Sequence, residues 1–79
     1  MAPTSTPVIT FGEELRRWRE ARRYSQLALA AEAEVSQRHL SFLENGKSKP
    51  SREMVLHLGR CLDLSLRDQN ALLAASGFS

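Results

Sequence analysis

The residues best suited to a chemical task in this sequence are cations gathered in two segments. Positions 16–23 hold five arginines against the single acid Glu20. Positions 36–52 hold four bases against the single acid Glu44, and the rest of the chain is net acidic. Concentrated cations of this kind bind polyanions, so the pattern favours a nucleic-acid site if the two segments share one face. Two solvated helix faces would explain the charge alone equally well.

Groups that could support catalysis or metal binding do not converge. The candidates are His39, His57, Cys61 and scattered carboxylates. The histidines fall on different expected helices without the spacing of metal ligands. Cys61 lies at the edge of an apolar stripe, where a small buried side chain is a better interpretation than a nucleophile. We therefore expect no enzyme activity, no metal site and no cofactor.

The composition predicts one small globular domain. The chain has 79 residues, of which 42% are apolar and 25% charged, as in ordinary globular proteins. It shows neither a secretory signal pattern nor an apolar run approaching the ~20 residues of a transmembrane helix. The single cysteine excludes an intrachain disulfide and favours a reducing cytoplasm. Residues 1–9 are expected to form a flexible N-terminal arm, and residues 10–79 the folded domain.

Helix start signals divide residues 10–79 into five short helices. Thr10 and Glu13 form a capping box before a helix over 11–22,. Four serines are placed to cap the helices that follow, namely Ser25, Ser36, Ser51 and Ser65,. The sequence has no strand pattern, so it predicts an all-α bundle of five helices.

Apolar spacing indicates which face of each helix is buried. On the second helix, over 26–33, the inward residues are expected to be Leu27, Ala30 and Ala31,. On the third, Leu40 and Leu43 form the buried stripe, and Asn45-Gly46 is a typical left-handed stop,. Gly59 is expected to let another helix approach the fourth.

The link between the second and third helices is the most informative local feature. Only Glu34 and Val35, with the cap Ser36, separate two short helices that each need packing partners. So short a link forces a steep crossing angle, which is the arrangement of a helix-turn-helix. We therefore expect a helix-turn-helix over about 25–45, with the third helix protruding enough to enter a major groove.

A helical wheel places four residues of the third helix where they could read base edges. The side opposite the Leu40–Leu43 stripe and the exposed first turn present Gln37, Arg38, Ser41 and Phe42,. Arginine can offer a fork to guanine and glutamine can pair with adenine, whereas an aromatic ring can contact a thymine methyl. A stray surface aromatic, or a contact with the N-terminal arm, is the alternative interpretation of Phe42.

A second set of residues is suited to the DNA backbone. Helix starts offer free amides, and the basic loop follows the third helix where the backbone of the same half-site would run. The residues expected to contact phosphates are Ser25, Gln26, Ser36, Asn45, Lys47, Lys49 and Arg52. Simple solvation of the lysines is the alternative.

On the wheels, Arg19 and Glu44 flank the buried stripes of their helices at the same angle, so we expect a partly buried ion pair between them.

Several motifs occur together at a characteristic mutual spacing. They are Leu15-Arg16-Arg17-Trp18-Arg19, Ser25-Gln26-Leu27-Ala28, Val35-Ser36, Leu40, Leu43-Glu44-Asn45-Gly46, Lys49-Pro50-Ser51 and Leu62. Over residues 11–64 the sequence thus resembles the phage-repressor and Cro family of helix-turn-helix regulators, also called the xenobiotic response element family. The segments 38–42 and 66–73 further resemble the MmyB-like bacterial subgroup. The resemblance to that subgroup implies a C-terminal ligand-sensing domain beyond this chain, with a possible effector bound there.

The resemblance implies a five-helix fold like that of lambda repressor and dimeric binding to palindromic operators. It also implies base contacts from Gln37, Arg38 and Ser41. Glycines are usual in the family where this sequence has Arg23 and Glu34, so the geometry of those two turns is in question,.

The expected function is that of a bacterial cytoplasmic transcription regulator that binds double-stranded DNA as a homodimer on an inverted repeat. A protein-interaction module, such as an antitoxin or adaptor that retains the fold, is the alternative. The exposed Gln37-Arg38 pair and its flanking bases favour DNA, because protein-binding faces are more often apolar and depleted of charge.

Overall fold

The chain folds into five α-helices. The computed structural model describes residues 10–78, so the expected arm over 1–9 lies outside the described residues. The helices are α1 (Phe11–Ala21), α2 (Gln26–Ala33), α3 (Gln37–Glu44), α4 (Arg52–Cys61) and α5 (Leu66–Ala75). Residues 10–78 contain no strand. The all-α prediction is therefore confirmed, and α1 ends one residue earlier than expected.

Each helix begins at a hydroxyl side chain. The caps are Thr10, Ser25, Ser36, Ser51 and Ser65, and each hydroxyl accepts a hydrogen bond from the amide three residues further on. Thr10 and Glu13 form the complete capping box, in which the Glu13 carboxylate accepts from the Thr10 amide at 3.1 Å. These caps satisfy amides that have no partner inside the helix, which fixes where each helix starts.

Each helix ends in the same way, with one residue in the left-handed region. These residues are Arg23, Glu34, Gly46, Asp63 and Gly77. The amide that follows each one donates back across the last turn, as from Val35 to the Ala30 carbonyl at 2.9 Å. Arg23 (φ 62°) and Glu34 (φ 59°) adopt the conformation that favours glycine, so both turns keep their geometry without it,. Asp63 also adopts the left-handed conformation, which was not predicted from the sequence.

The core is built almost entirely from leucine. Its fully buried members are Leu15, Leu29, Leu40, Leu43, Val55, Leu58, Leu62 and Leu72, contributed by all five helices and the end of α4. Leu40 and Leu43 form the buried stripe of α3 as predicted. The apolar side of α3 is therefore committed to the domain interior, which turns its polar side outward.

The predicted inward face of α2 was wrong at two positions. The buried residues are Leu29, Ala30 and Ala33, whereas Ala31 is exposed and Leu27 is 64% exposed. Six of the eight residues of α2 are alanine or leucine, so apolar spacing hardly distinguishes one face from another. Packing of α2 against α3 and α4 selects the buried face instead.

Two glycines permit close contact between helices. A Cβ at Gly12 would clash with the Glu44 carbonyl oxygen, so α1 crosses the end of α3 at backbone contact. At Gly59 a Cβ would lie 3.0 Å from the Gln69 side chain, in line with the predicted close approach. The contact at Gly12 fixes α1 beside the end of α3. Within residues 10–78, no helix is long and apolar enough to cross a membrane.

Candidate nucleic-acid interface

The turn between α2 and α3 consists of Glu34, Val35 and Ser36. Glu34 takes the left-handed conformation, Val35 packs against the core, and Ser36 caps α3. From α4, the His57 Nε2 atom lies 2.9 Å from the Ala33 carbonyl at the end of α2. The turn is thus held at its backbone and by a side chain from a third helix. No local sequence pattern relates positions 33 and 57, so this histidine contact could not be predicted from the sequence.

The four expected base-reading residues lie on the outer side of α3 or at its start. Gln37 and Arg38 are exposed in the first turn, and Ser41 and Phe42 are half-buried one turn later. The first turn of α3 is therefore its most accessible part. Neither Gln37 nor Arg38 has an ion pair or a side-chain hydrogen bond among residues 10–78, so their polar groups are available to a ligand.

The ring of Phe42 lies close to two cations. The guanidinium carbon of Arg38 is 5.3 Å from the ring centroid, and the Lys47 ammonium is 6.0 Å from it. Cations at such distances are attracted to an aromatic face by about 0.5–1 kcal/mol at exposed sites. The i, i+4 spacing of Arg38 and Phe42 is a signal for this contact that sequence reasoning missed.

Of the seven residues expected at phosphates, Gln26 donates to Glu44 and the other six divide into two groups. The hydroxyls of Ser25 and Ser36 already accept hydrogen bonds from their own helices, and Asn45 donates to Ser41 Oγ at 3.3 Å. Lys47, Lys49 and Arg52 are exposed. None of these three cations forms an ion pair within residues 10–78. The basic loop after α3 thus carries uncompensated positive charge beside the outer face of that helix.

The Glu44 carboxylate is a buried junction between α1, α2 and α3. Arg19 donates to it twice, from Nε to Oε2 at 2.6 Å and from Nη2 to Oε1 at 3.1 Å. Gln26 Nε2 donates to the same Oε1 atom at 3.0 Å, and Arg16 Nε does so at 3.4 Å. The Arg19–Glu44 ion pair expected from the helical wheels is therefore present. No local sequence pattern predicts that Arg16 and Gln26 join this pair.

Burial of Glu44 by itself raises the pKa of this carboxyl group. Hydrogen bonds from Arg19, Gln26 and Arg16 and the charge of Arg19 outweigh burial, so the pKa lies below the ordinary value of 4.5,. Glu44 is therefore ionised at neutral pH, and it attracts a second arginine to the start of the helix-turn-helix.

Reactive groups do not form a catalytic arrangement in the described part of the chain. Cys61 Sγ lies 4.0 Å from His57 Nε2, but burial and the nearby charge of Glu32 raise the pKa of the thiol. A thiol with a raised pKa is a poor nucleophile at neutral pH. Residues 10–78 bring together no group of three histidine, cysteine or acidic side chains able to hold a metal.

Five capped helices, with a three-residue turn before an outward polar helix, define a helix-turn-helix domain. The helix-turn-helix family model of the Cro/C1 type matches residues 15–69, which is more than half of the chain. The chain belongs to this family, the xenobiotic response element family, whose members bind DNA and regulate transcription. No curated protein and no solved structure matched the chain. The MmyB-like subgroup stays a prediction.

Proposed function

We propose that this domain binds double-stranded DNA in a sequence-specific manner by inserting α3 into the major groove. The observation that carries the proposal is the exposed Gln37-Arg38 pair at the start of a helix whose other side is buried in the core. The major groove is about 12 Å wide and accommodates one α-helix. A helix fixed through Leu40 and Leu43 can enter it as a rigid element, without ordering a loop on binding.

Arg38 is the principal base-reading residue in this proposal. Its guanidinium can donate two parallel hydrogen bonds to guanine O6 and N7, and Gln37 can pair with adenine or a phosphate. Ser41, one turn further on, is half-buried, and its hydroxyl can donate to or accept from a base edge,.

Phe42 supports Arg38 and Lys47 as well as facing the DNA. Its ring lies beneath both cations, so each enters the complex with fewer rotamers to lose,. A long cationic side chain costs up to about 2 kcal/mol to immobilise, which makes such support valuable. Contact of the ring edge with a thymine methyl is compatible with this role.

The DNA backbone is held on both sides of α3. Lys47, Lys49 and Arg52 follow the helix and carry charge that no acid neutralises within residues 10–78. At the start of α2, the Gln26 side chain and the amides behind Ser25 face the other phosphate strand. These contacts determine register and affinity, whereas α3 determines sequence preference.

The domain acts as a symmetric pair on an inverted repeat. Two copies related by a twofold axis would place their α3 helices in successive major grooves, about 34 Å apart. Each phosphate contact contributes to a steep salt dependence. The bacterial origin and the regulated operator belong to the same hypothesis.

Selection from a random duplex library, followed by titration of the enriched duplex at several salt concentrations, tests the proposal. An enriched inverted repeat with half-sites about one helical turn apart, bound less tightly as salt rises, is the expected result. Absence of an enriched motif, also when two copies are joined by a flexible linker, would contradict it and favour a protein-interaction module.

A further inference from the structure

We propose that Arg16 is a DNA-phosphate contact outside the helix-turn-helix, so that the DNA-binding surface extends onto α1. This inference rests on the proposed function, because it requires DNA to approach the start of α2. It concerns a residue that the fold alone does not assign to DNA, since α1 packs against the core and does not enter the groove.

The charges around Glu44 do not balance. One carboxylate meets two guanidinium groups, from Arg19 and Arg16, so the cluster carries one excess positive charge. Arg19 holds Glu44 through two short hydrogen bonds and is itself buried, with Nη1 donating to the Tyr24 carbonyl at 2.8 Å. Arg16 reaches Glu44 only through Nε, at 3.4 Å, and its side chain is 52% exposed. The excess charge therefore lies at the surface, on Arg16.

The geometry brings that charge next to a proposed phosphate contact. Arg16 Nε and Gln26 Nε2 donate to the same Glu44 oxygen, so the two nitrogens are no further apart than those two bond lengths added together. A phosphate that reaches Gln26 then lies within range of the Arg16 guanidinium. The two Nη groups of Arg16 have no hydrogen-bond partner within residues 10–78. They present the planar fork that suits a phosphate.

Two neighbouring exposed arginines, Arg17 and Arg22, are engaged elsewhere. Arg17 pairs with Glu14 at 2.8 Å, which neutralises its charge locally. Arg22, just past the end of α1, donates to the Asp63 carbonyl at 3.2 Å and lies over the Trp18 ring. Arg16 thus differs from Arg17 and Arg22 in having a free fork, and its link through Glu44 to Gln26 connects it to α2.

Salt-dependent binding of the selected duplex, and of a scrambled duplex of equal length, tests the inference. Arg16→Gln should weaken both duplexes by the same factor and reduce the slope of log affinity against log salt by about 0.9 per bound copy of the domain. The wild-type to variant affinity ratio should accordingly shrink by about 3.5-fold per bound copy between 50 and 200 mM salt. Arg16→Lys should keep most of the slope. Arg17→Gln, one residue along and equal in charge change, is the matched control and should leave the slope unchanged.

The Arg16 Nε–Hε resonance of the wild-type protein provides a second measurement that needs no variant. This resonance should shift when duplex is added to the protein at low salt, already at amounts that do not saturate binding. The Arg17 resonance should not shift. If wild type binds DNA with a steep slope but Arg16→Gln matches it and the resonance is unmoved, the inference fails while the proposed function stands. If wild type shows no salt-dependent binding to either duplex, the proposed function fails, and the inference fails with it.

Discussion

Arg19 on α1 and Glu44 on α3 form a buried two-point ion pair, with Arg19 Nε 2.6 Å from Glu44 Oε2. The pair spans the crossing of the two helices, next to the backbone contact at Gly12. It links the scaffold helix to the last residue of the helix that we propose enters the groove.

Removing one member of the pair should be strongly destabilising. Arg19→Met leaves the Glu44 carboxylate buried, at a cost of about 3 kcal/mol in the free energy of unfolding. The loss stays near the lower end of the usual range because Arg16 and Gln26 still donate to Glu44. Urea denaturation monitored by circular dichroism measures this loss of unfolding free energy. The double variant Arg19→Met/Glu44→Leu should recover much of the loss, whereas a single variant as stable as wild type would show that the pair contributes little.

Acid should remove the contribution of Glu44. The pKa of Glu44 is lower in the folded protein than its ordinary value of 4.5, so the stabilisation is fully present above that value,. It is lost as pH falls through the folded-state pKa, at no more than about 1.4 kcal/mol per pH unit. The difference in unfolding free energy between wild type and Glu44→Gln should be constant from pH 7 to about 5 and shrink below it. A difference that persists unchanged to pH 3 would contradict this account.

Glycine should stabilise the turn between α2 and α3. Glu34 has φ 59°, where a residue with a Cβ is strained by about 1 kcal/mol, so Glu34→Gly should raise the free energy of unfolding by up to that amount,. Glu34→Ala keeps the Cβ while removing the charge, and should give no such gain. Thermal unfolding of both variants checks this. A glycine variant no more stable than the alanine variant would mean that the turn relaxes by other means.

The contribution of Phe42 to DNA affinity should depend on Arg38 and Lys47, the two cations over its ring. Phe42→Leu keeps an apolar side chain but removes the π face, so affinity for the selected duplex should fall about two- to fivefold, equivalent to about 0.5–1 kcal/mol. Phe42→Tyr, which keeps the ring, should be close to wild type. In a background lacking both cations, Arg38→Ala/Lys47→Ala, the leucine substitution should add nothing. Additive losses in that background would indicate direct contact between Phe42 and bases.

Much of the fold follows from local sequence signals. Hydroxyl caps such as Thr10 and Ser36 mark helix starts because a free amide must find an acceptor nearby. The buried stripe of α3 is readable because, apart from Phe42, the residues around Leu40 and Leu43 are polar. The same method failed on α2, where Leu27 and Ala31 differ too little from their neighbours for spacing to identify the buried face.

The candidate site could be predicted from the sequence only where the phase of a helix determines which way a side chain points. Arg38 and Gln37 are placed outward by the phase of α3, and the Arg19–Glu44 pair was found because both residues flank a recognisable stripe. Arg16, by contrast, joins the site through an atom 28 positions away in sequence. Such a contact depends on how α1 crosses α3, and that crossing depends on the absent side chain of Gly12. No local pattern reports it.

The central claim is that Arg38 reads a base from the major groove while the basic loop holds only the backbone. Affinities of wild type, Arg38→Ala and Lys49→Ala for the selected duplex and for every single-base-pair substitution of one half-site test it most directly. Arg38→Ala should lose about 1–3 kcal/mol and become indifferent to one base pair, and Lys49→Ala should weaken all duplexes equally with a smaller salt slope. If Arg38→Ala instead weakens every duplex by the same factor and keeps every base preference, Arg38 does not read sequence and the account is wrong.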